Sequence, residues 1–191
     1  MVKNYDLDYS DRVILDLCAG SGAWSQPYMD AGYTVKQYDI KNGDDVRLLR
    51  RFDYRIYGIL AAPPCTNFSL VKNNLHGVSE EERLESLSVV DACIRIITVQ
   101  KPYFWALENP VGRLFDYLGK PKLIFEPYEY GDGYTKRTAL WGKFRIPKKN
   151  IVPITEPHRI ANLYHYDPEE RAARRAITPA GFAKAFFAAN P

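Results

Sequence analysis

Residues 15–22 read LDLCAGSG, and the fold turns on how they are read. The longer run RVILDLC (12–18) is apolar and β-branched, the mark of a buried strand. Asp16 sits near its end, and Gly20 and Gly22 follow at once. Glycines this close permit a sharp turn and a near approach of backbone to a ligand. A short helix, SQPYMDAGY (25–33), follows with a stop at Gly32. Strand, glycine turn and helix in that order open a parallel α/β sheet.

The pattern repeats outward. TVKQYDI (34–40) reads as a second strand closing on Asp39, NGDD as a turn, and VRLLRRF (46–52) as a short helix. YGILAA (57–62) is a strand stopped by Pro63 and Pro64. SEEERLESLSVVDACIRIITVQ (79–100) begins with a capping box, Ser79 and Glu82, and then shows helical spacing until Pro102. YFWALE (103–108) is a strand, and NPVGRLFDYLG (109–119) holds a turn and a short helix. KLIFEPYEYG (122–131) and TALWGKFRI (138–146) read as strands suited to an antiparallel edge pair. Residues 145–175 are rich in Pro, Lys, Arg and His and read as an irregular basic segment; TPAGFAKAFFAAN (178–190) reads as a helix. The expected fold is α/β, with a mostly parallel sheet flanked by helices. Its ligands would lie beyond the carboxyl ends of the strands.

Composition sets the class. A chain of 191 residues, 46% hydrophobic, suits one domain with one core. Three cysteines without framework spacing argue against a disulfide scaffold, and no metal-type Cys/His cluster is present in the sequence. The polar start MVKNYDLDYSDR and the shortness of the apolar runs predict neither signal peptide nor membrane span. A cytoplasmic protein, bacterial or in a phage-infected cell, is expected. The net charge of +3 is uneven: residues 1–135 carry a net −4 and residues 136–191 a net +7. Such an end suits either a polyanion or an ordinary solvated face, and charge alone does not separate them. Lys148, Lys149, Arg159, Arg171, Arg174 and Arg175 are candidate contacts to a nucleic-acid backbone.

Three stretches carry chemistry. Asp16, Gly20 and Gly22 with Asp39 form Asp-x-x-x-Gly-x-Gly plus an acid ending the next strand. That spacing fits an S-adenosylmethionine site better than a dinucleotide site, which wants a third glycine; a tight turn without ligand has the same pattern. AAPPCTNFS (61–69) puts Cys65 after a stiff Pro63-Pro64 pair at a strand end. A thiolate there can add to C6 of a pyrimidine and make C5 nucleophilic; a buried cysteine after a turn is the plain reading. ALENP (106–110) puts Glu108 at another strand end, where a carboxyl of raised pKa can protonate N3 of cytosine. Three separate structural causes for one shared rim are harder to supply than one functional cause. Cys18 and Cys93 read as core, Trp105 and Trp141 as strand core, Trp24 as core or cofactor cover, and His158 and His165 as solvated or phosphate-facing.

LDLCAGSGAW, AAPPCTNFS, ALENP and YTKRTALWG (134–142) occur in the order of the motifs of the C5-cytosine DNA methyltransferases. The chain resembles that family over about residues 12–144, and most resembles its short, phage-encoded members. The resemblance implies an S-adenosylmethionine-dependent methyltransferase fold and a DNA (cytosine-5)-methyltransferase acting through a covalent cysteine adduct on a base flipped from the duplex. It implies Cys65 as nucleophile and Glu108 as the acid at N3. Asn109 would brace the cysteine loop, and Pro64 and Ser69 would meet the substrate. Asp16, Ala19, Gly20 and Gly22 would line the methionine and ribose side, Asp39 the ribose hydroxyls and Asp45 the adenine amino group. Arg137 matches the first arginine of Gln-x-Arg-x-Arg.

Thr135 stands where that family has Gln, Ala139 where it has the second arginine, and Pro110 where Val is common. RRAITPAGFA (174–183) resembles the family's ninth motif and begins about thirty residues after Gly142, which leaves no span for a separate recognition domain. Specificity is therefore expected to be short or relaxed and to come from loops 66–78 and 145–175, or from a protein partner. Asn190 is the candidate remnant of the last motif. Two rivals stand beside this reading: the same chemistry on RNA, single-stranded DNA or a free cytosine nucleotide, and a non-catalytic DNA- or cofactor-binding protein or partner-dependent subunit. No metal is expected.

Overall fold

A computed structural model describes residues 9–68, 77–156, 163 and 165–191. Six strands form one sheet: β1 Val13–Leu17, β2 Thr34–Tyr38, β3 Ile56–Ala61, β4 Phe104–Pro110, β5 Leu123–Phe125 and β6 Thr138–Lys143. Their order is β2-β1-β3-β4-β6-β5. The first four run parallel, and β6 pairs antiparallel with both β4 and β5. The mostly parallel sheet and the antiparallel edge pair are both as the sequence predicts.

Both faces of the sheet are covered, which is why its strands read as nearly continuous apolar runs. On one face Leu15, Leu17, Ile59, Ala61, Leu107, Ala139 and Trp141 pack with Val90, Cys93, Ile96 and Ile97. The last four belong to the long helix α2, Glu80–Gln100, whose N-terminus carries the Ser79–Glu82 capping box in both directions. On the other face Ile14, Leu60, Phe104, Ala106 and Leu140 pack with Tyr28 of α1 (Gln26–Asp30) and with Phe182 and Phe186 of α5 (Ala180–Ala189). Phe182 stacks on Phe125 with ring centroids 3.9 Å apart. Asn190 holds α5 to the chain after β6: its Oδ1 accepts from Arg145 N and its Nδ2 donates to Arg145 O.

Short helical turns follow the sequence reading at Val46–Leu48 and in α3, Phe115–Leu118. The 145–175 segment differs from it in part. Residues 144–156 are irregular apart from isolated bridges at Asn150 and Glu156, but Pro168–Ala176 form a helix, α4. Asp167 Oδ1 caps it by accepting from Glu170 N, and Arg174 pairs with Glu170 one turn away. Arg159 and His158 lie outside the described residues.

Candidate active site

The carboxyl ends of β1, β3 and β4 share one edge of the sheet, and β6, running the other way, brings its N-terminal approach to the same edge. A cleft there is lined by Asp16, Ala19, Gly20 and Trp24 on one side and by Pro64, Cys65, Glu108 and Lys136 on the other, with Arg175 and Thr178 arriving from the α4–α5 junction. The cleft encloses about 80 Å³. Ligand pockets ordinarily begin at roughly 300 Å³.

The glycine turn is built from left-handed backbone. Gly20 has φ +57° and Gly22 φ +71°, and Cys18 adopts φ +57° without a glycine's freedom. A Cβ on Gly22 would stand 2.3 Å from Gln37 Nε2. Gly20 N donates to Asp39 Oδ2 at 2.7 Å, and Lys41 N donates to Oδ1 at 3.0 Å, so the carboxylate is fixed by one amide on each oxygen. Gln37 donates to Ser25 Oγ, and Ser25 donates to Asp16 Oδ2 at 2.6 Å. Asp16 is 1% exposed. Burial pushes its pKa up to about 7; the Ser25 hydrogen bond opposes this and the nearby Asp39 charge adds to it. Asp45 lies apart from the cleft wall, and both its oxygens engage Arg47, which also pairs with Glu85.

The cysteine loop is tied down at several points. Asn109 Nδ2 donates to Pro63 O at 2.9 Å, a buried bond that joins β4 to the residue two before Cys65. Phe68 N donates to Cys65 O, closing a turn. Phe68 O accepts from Arg113 N, and a Cβ on Gly112 would meet that oxygen at 2.4 Å. Asn67 Nδ2 donates to Glu82 O and Ser86 Oγ on α2. Ser69 lies outside the described residues. Burial pushes the Cys65 thiol up and so does the Glu108 carboxylate, while Lys136 and Arg175 oppose the shift.

Glu108 is buried, and burial raises its pKa against the counter-effect of Lys136, whose Nζ lies 4.0 Å from Oε1. Arg137 is not among the residues lining the cleft. It acts on Glu126, whose carboxyl is raised by burial and lowered by the Lys136 N–H and by Arg137. Ala139 is fully buried in the α2-side core. Sequence reasoning thus missed Lys136, and Arg175 as part of the cleft. Lys136 and Arg137 both precede β6, and only the Lys136 side chain enters the cleft, so no strand pattern in the sequence marks it. Trp24 is a core residue, as one of its two readings has it. It packs edge-on against Phe186 and also lines the cleft, where its buried Nε1 has no hydrogen-bond partner.

Among the described residues no cluster of three or more His, Cys, Asp or Glu could hold a metal ion, and no helix is long and apolar enough to cross a membrane.

No family model matches the chain, and no curated protein matches it by sequence. Its fold is similar to that of a protein named as a candidate DNA modification methyltransferase encoded within an E. coli prophage, with a TM-score of 0.53 and 20% identity. That match covers 74% of this chain and 52% of the other, so the chain spans about half the length of that protein. A methyltransferase of Entamoeba histolytica, EhMeth, aligns with a TM-score of 0.48 and 16% identity over 79% of this chain and 59% of its own. At 20% identity the likeness to the prophage-encoded protein shows the fold alone.

Proposed function

We propose that the chain is a DNA (cytosine-5)-methyltransferase that uses S-adenosylmethionine and works through a covalent adduct on Cys65. One observation carries this reading: a thiol, a buried carboxyl and a glycine turn with its ribose-type acid, far apart in sequence, line or border one cleft at the ends of parallel strands. A turn, a core cysteine and a surface acid would have no reason to converge.

The residues present suit the cofactor. Around Gly20 a Cβ would meet nothing within 4 Å, and Trp24, which also lines the cleft, has a buried Nε1 without a hydrogen-bond partner. Asp16, Ala19, Gly20 and Gly22 would hold the methionine and ribose portion, Asp39 the ribose hydroxyls, and Asp45 the adenine edge once Arg47 shares it. The cofactor, when bound, supplies an electrophilic methyl group on a positively charged sulfur. The chain's part is to make cytosine C5 nucleophilic. Cys65 gives up its thiol proton to water as Sγ adds to C6, and the ring electrons move toward N3, which takes the proton of the Glu108 carboxyl. A carboxyl whose pKa burial has raised is suited to that donation. After C5 gains its substituent, N3 returns its proton to the Glu108 carboxylate, the C5 proton passes to water and Sγ departs as a thiolate, which restores the ring. Asn109 keeps Pro63 and hence the thiol in place.

The test is nucleoside mass spectrometry on duplex DNA incubated with the purified protein and S-adenosylmethionine, with Cys65→Ala in parallel. We expect 5-methylcytosine from the wild type and none from the variant. Methylation at an exocyclic amine, or equal product from Cys65→Ala, would overturn the reading. Product on RNA, single-stranded DNA or cytidine nucleotides but not on duplex would keep the chemistry and move the substrate.

A further inference from the structure

We infer that Lys136 is the positioning residue for the acid of this site, holding the Glu108 carboxyl against the chain that closes the cleft. The inference rests on the reading above. It follows from where the sheet puts three groups.

Leu140 of β6 stands opposite Glu108 of β4 in the register, and Ala139 stands opposite Asn109. Lys136 lies two residues before β6, and its side chain, not that of Arg137, lines the cleft with Glu108. The backbone of Lys136 is fixed on both sides. Its N–H donates to Glu126 Oε2 at 2.7 Å, and its carbonyl accepts from Thr138 Oγ1 at 2.8 Å. The side chain is therefore delivered to one place. It is about 10% exposed, and Nζ lies 4.0 Å from Glu108 Oε1 and donates to Ile177 O at 3.2 Å. Ile177 follows Arg175 and Ala176 and precedes Thr178, all three in the cleft wall. One ammonium group thus joins the acid to the segment that walls the substrate side. The family's second arginine has no counterpart at Ala139, and Lys136 is a cation that this chain brings to the cleft from the same strand approach.

The charge matters most after the acid has given up its proton. Glu108 then becomes a carboxylate in a buried place, and an ammonium nearby stabilises that product more than it stabilises the neutral acid. Other ionisable or charged groups at the cleft are Asp16 on β1, Cys18 just after it, Cys65 after β3 and Arg175 at the end of α4, with Glu126 and Arg137 behind the Lys136 backbone. None of these is joined to Glu108 and to the 175–178 segment together, as Lys136 is.

The experiment compares wild type, Lys136→Met, Lys136→Arg, Glu108→Gln and the double variant Glu108→Gln/Lys136→Met. Removing the ammonium raises the Glu108 pKa, so the acid is weaker. In Lys136→Met we expect kcat to fall by tenfold or more, the KM for S-adenosylmethionine to stay within about twofold, and the alkaline limb of kcat to move to higher pH. Lys136→Arg should restore the limb and most of kcat. In the Glu108→Gln background the Met substitution should add little further loss, because the residue acts through the acid. A second readout needs no turnover: in protein carrying carboxyl-¹³C glutamate, the Glu108 signal of folded Lys136→Met should titrate at higher pH than in wild type. An unmoved titration, or full additivity of the two substitutions, would overturn the inference while leaving the methyltransferase reading intact. A wild type that makes no 5-methylcytosine overturns that reading, and the carboxyl titration then judges the Lys136–Glu108 coupling alone.

Discussion

Replacing Asp16 by Asn should stabilise the protein at neutral and alkaline pH while weakening cofactor binding. The carboxyl is almost wholly buried, accepts one short hydrogen bond from Ser25, and has its pKa pushed up from 3.8 to about 7. The sign follows from proton counting. Between about pH 4 and pH 7 the folded chain holds a proton here that the unfolded chain has lost, so stability falls as pH rises through that window and levels off above it. The full difference is on the order of 4 kcal/mol at 1.36 kcal/mol per pH unit. Asparagine keeps a hydrogen-bond acceptor for Ser25 and removes the titration. The difference in unfolding free energy between variant and wild type should therefore grow in the variant's favour, by about 2 kcal/mol between pH 5.5 and pH 8. Urea denaturation without cofactor at those two pH values measures it. A difference that stays constant with pH would refute the argument, as would a variant less stable at pH 8 than at pH 5.5 relative to wild type. Calorimetric titration with S-adenosylmethionine should show the same variant binding more weakly.

Asn109→Ala removes the bond to Pro63 O and leaves that buried carbonyl without its donor, which costs about 1–3 kcal/mol of stability. The loss should show in kcat before it shows in S-adenosylmethionine affinity, and equal losses in both would argue against a role in the cysteine loop. Arg171→Gln with Arg174→Gln removes two cations from α4 beside the cleft. If both meet phosphates, the slope of log K against log salt for duplex binding should become shallower by roughly 2, measured by fluorescence anisotropy, with all sequences weakened alike.

Strand and helix positions were legible because both faces of the sheet are covered and because the caps are local chemistry. VILDL is apolar but for Asp16, the strand Ile56–Ala61 is likewise mostly apolar, and Ser79 with Glu82 announces α2 before any tertiary contact exists. Helix α4 was hidden for the opposite reason. PEERAARRA has no apolar stripe to show a buried face, so composition spoke louder than the Asp167 cap and the Glu170–Arg174 pair. At the site, motif order led to Cys65, Glu108 and the glycine turn, all of which meet. Motif order also led to Arg137 rather than Lys136. A motif aligns letters along a chain, whereas the fold decides which of two neighbouring side chains enters the cleft, here that of Lys136. The cleft contribution of Arg175 was not legible at all, since only tertiary folding brings residue 175 beside residue 65.

The strand positions explain why the cleft is expensive to build. Asp16 and Glu108 occupy strand positions whose neighbours on that face, Ile14 and Ala106, are core residues, so the sheet carries two carboxyls where packing alone would place apolar groups. Burial shifts both toward the neutral acid, and it shifts the Cys65 thiol the same way. A fold selected for stability alone would replace such groups with hydrocarbon. Lys136 and Arg175 oppose the shift at Cys65, and Lys136 does so at Glu108 as well. The net effect is a thiol and an acid that burial shifts toward their protonated forms, with cations beside them that limit the shift. Substituting either cation should therefore impair chemistry more than stability, the reverse of what a structural ion pair would do.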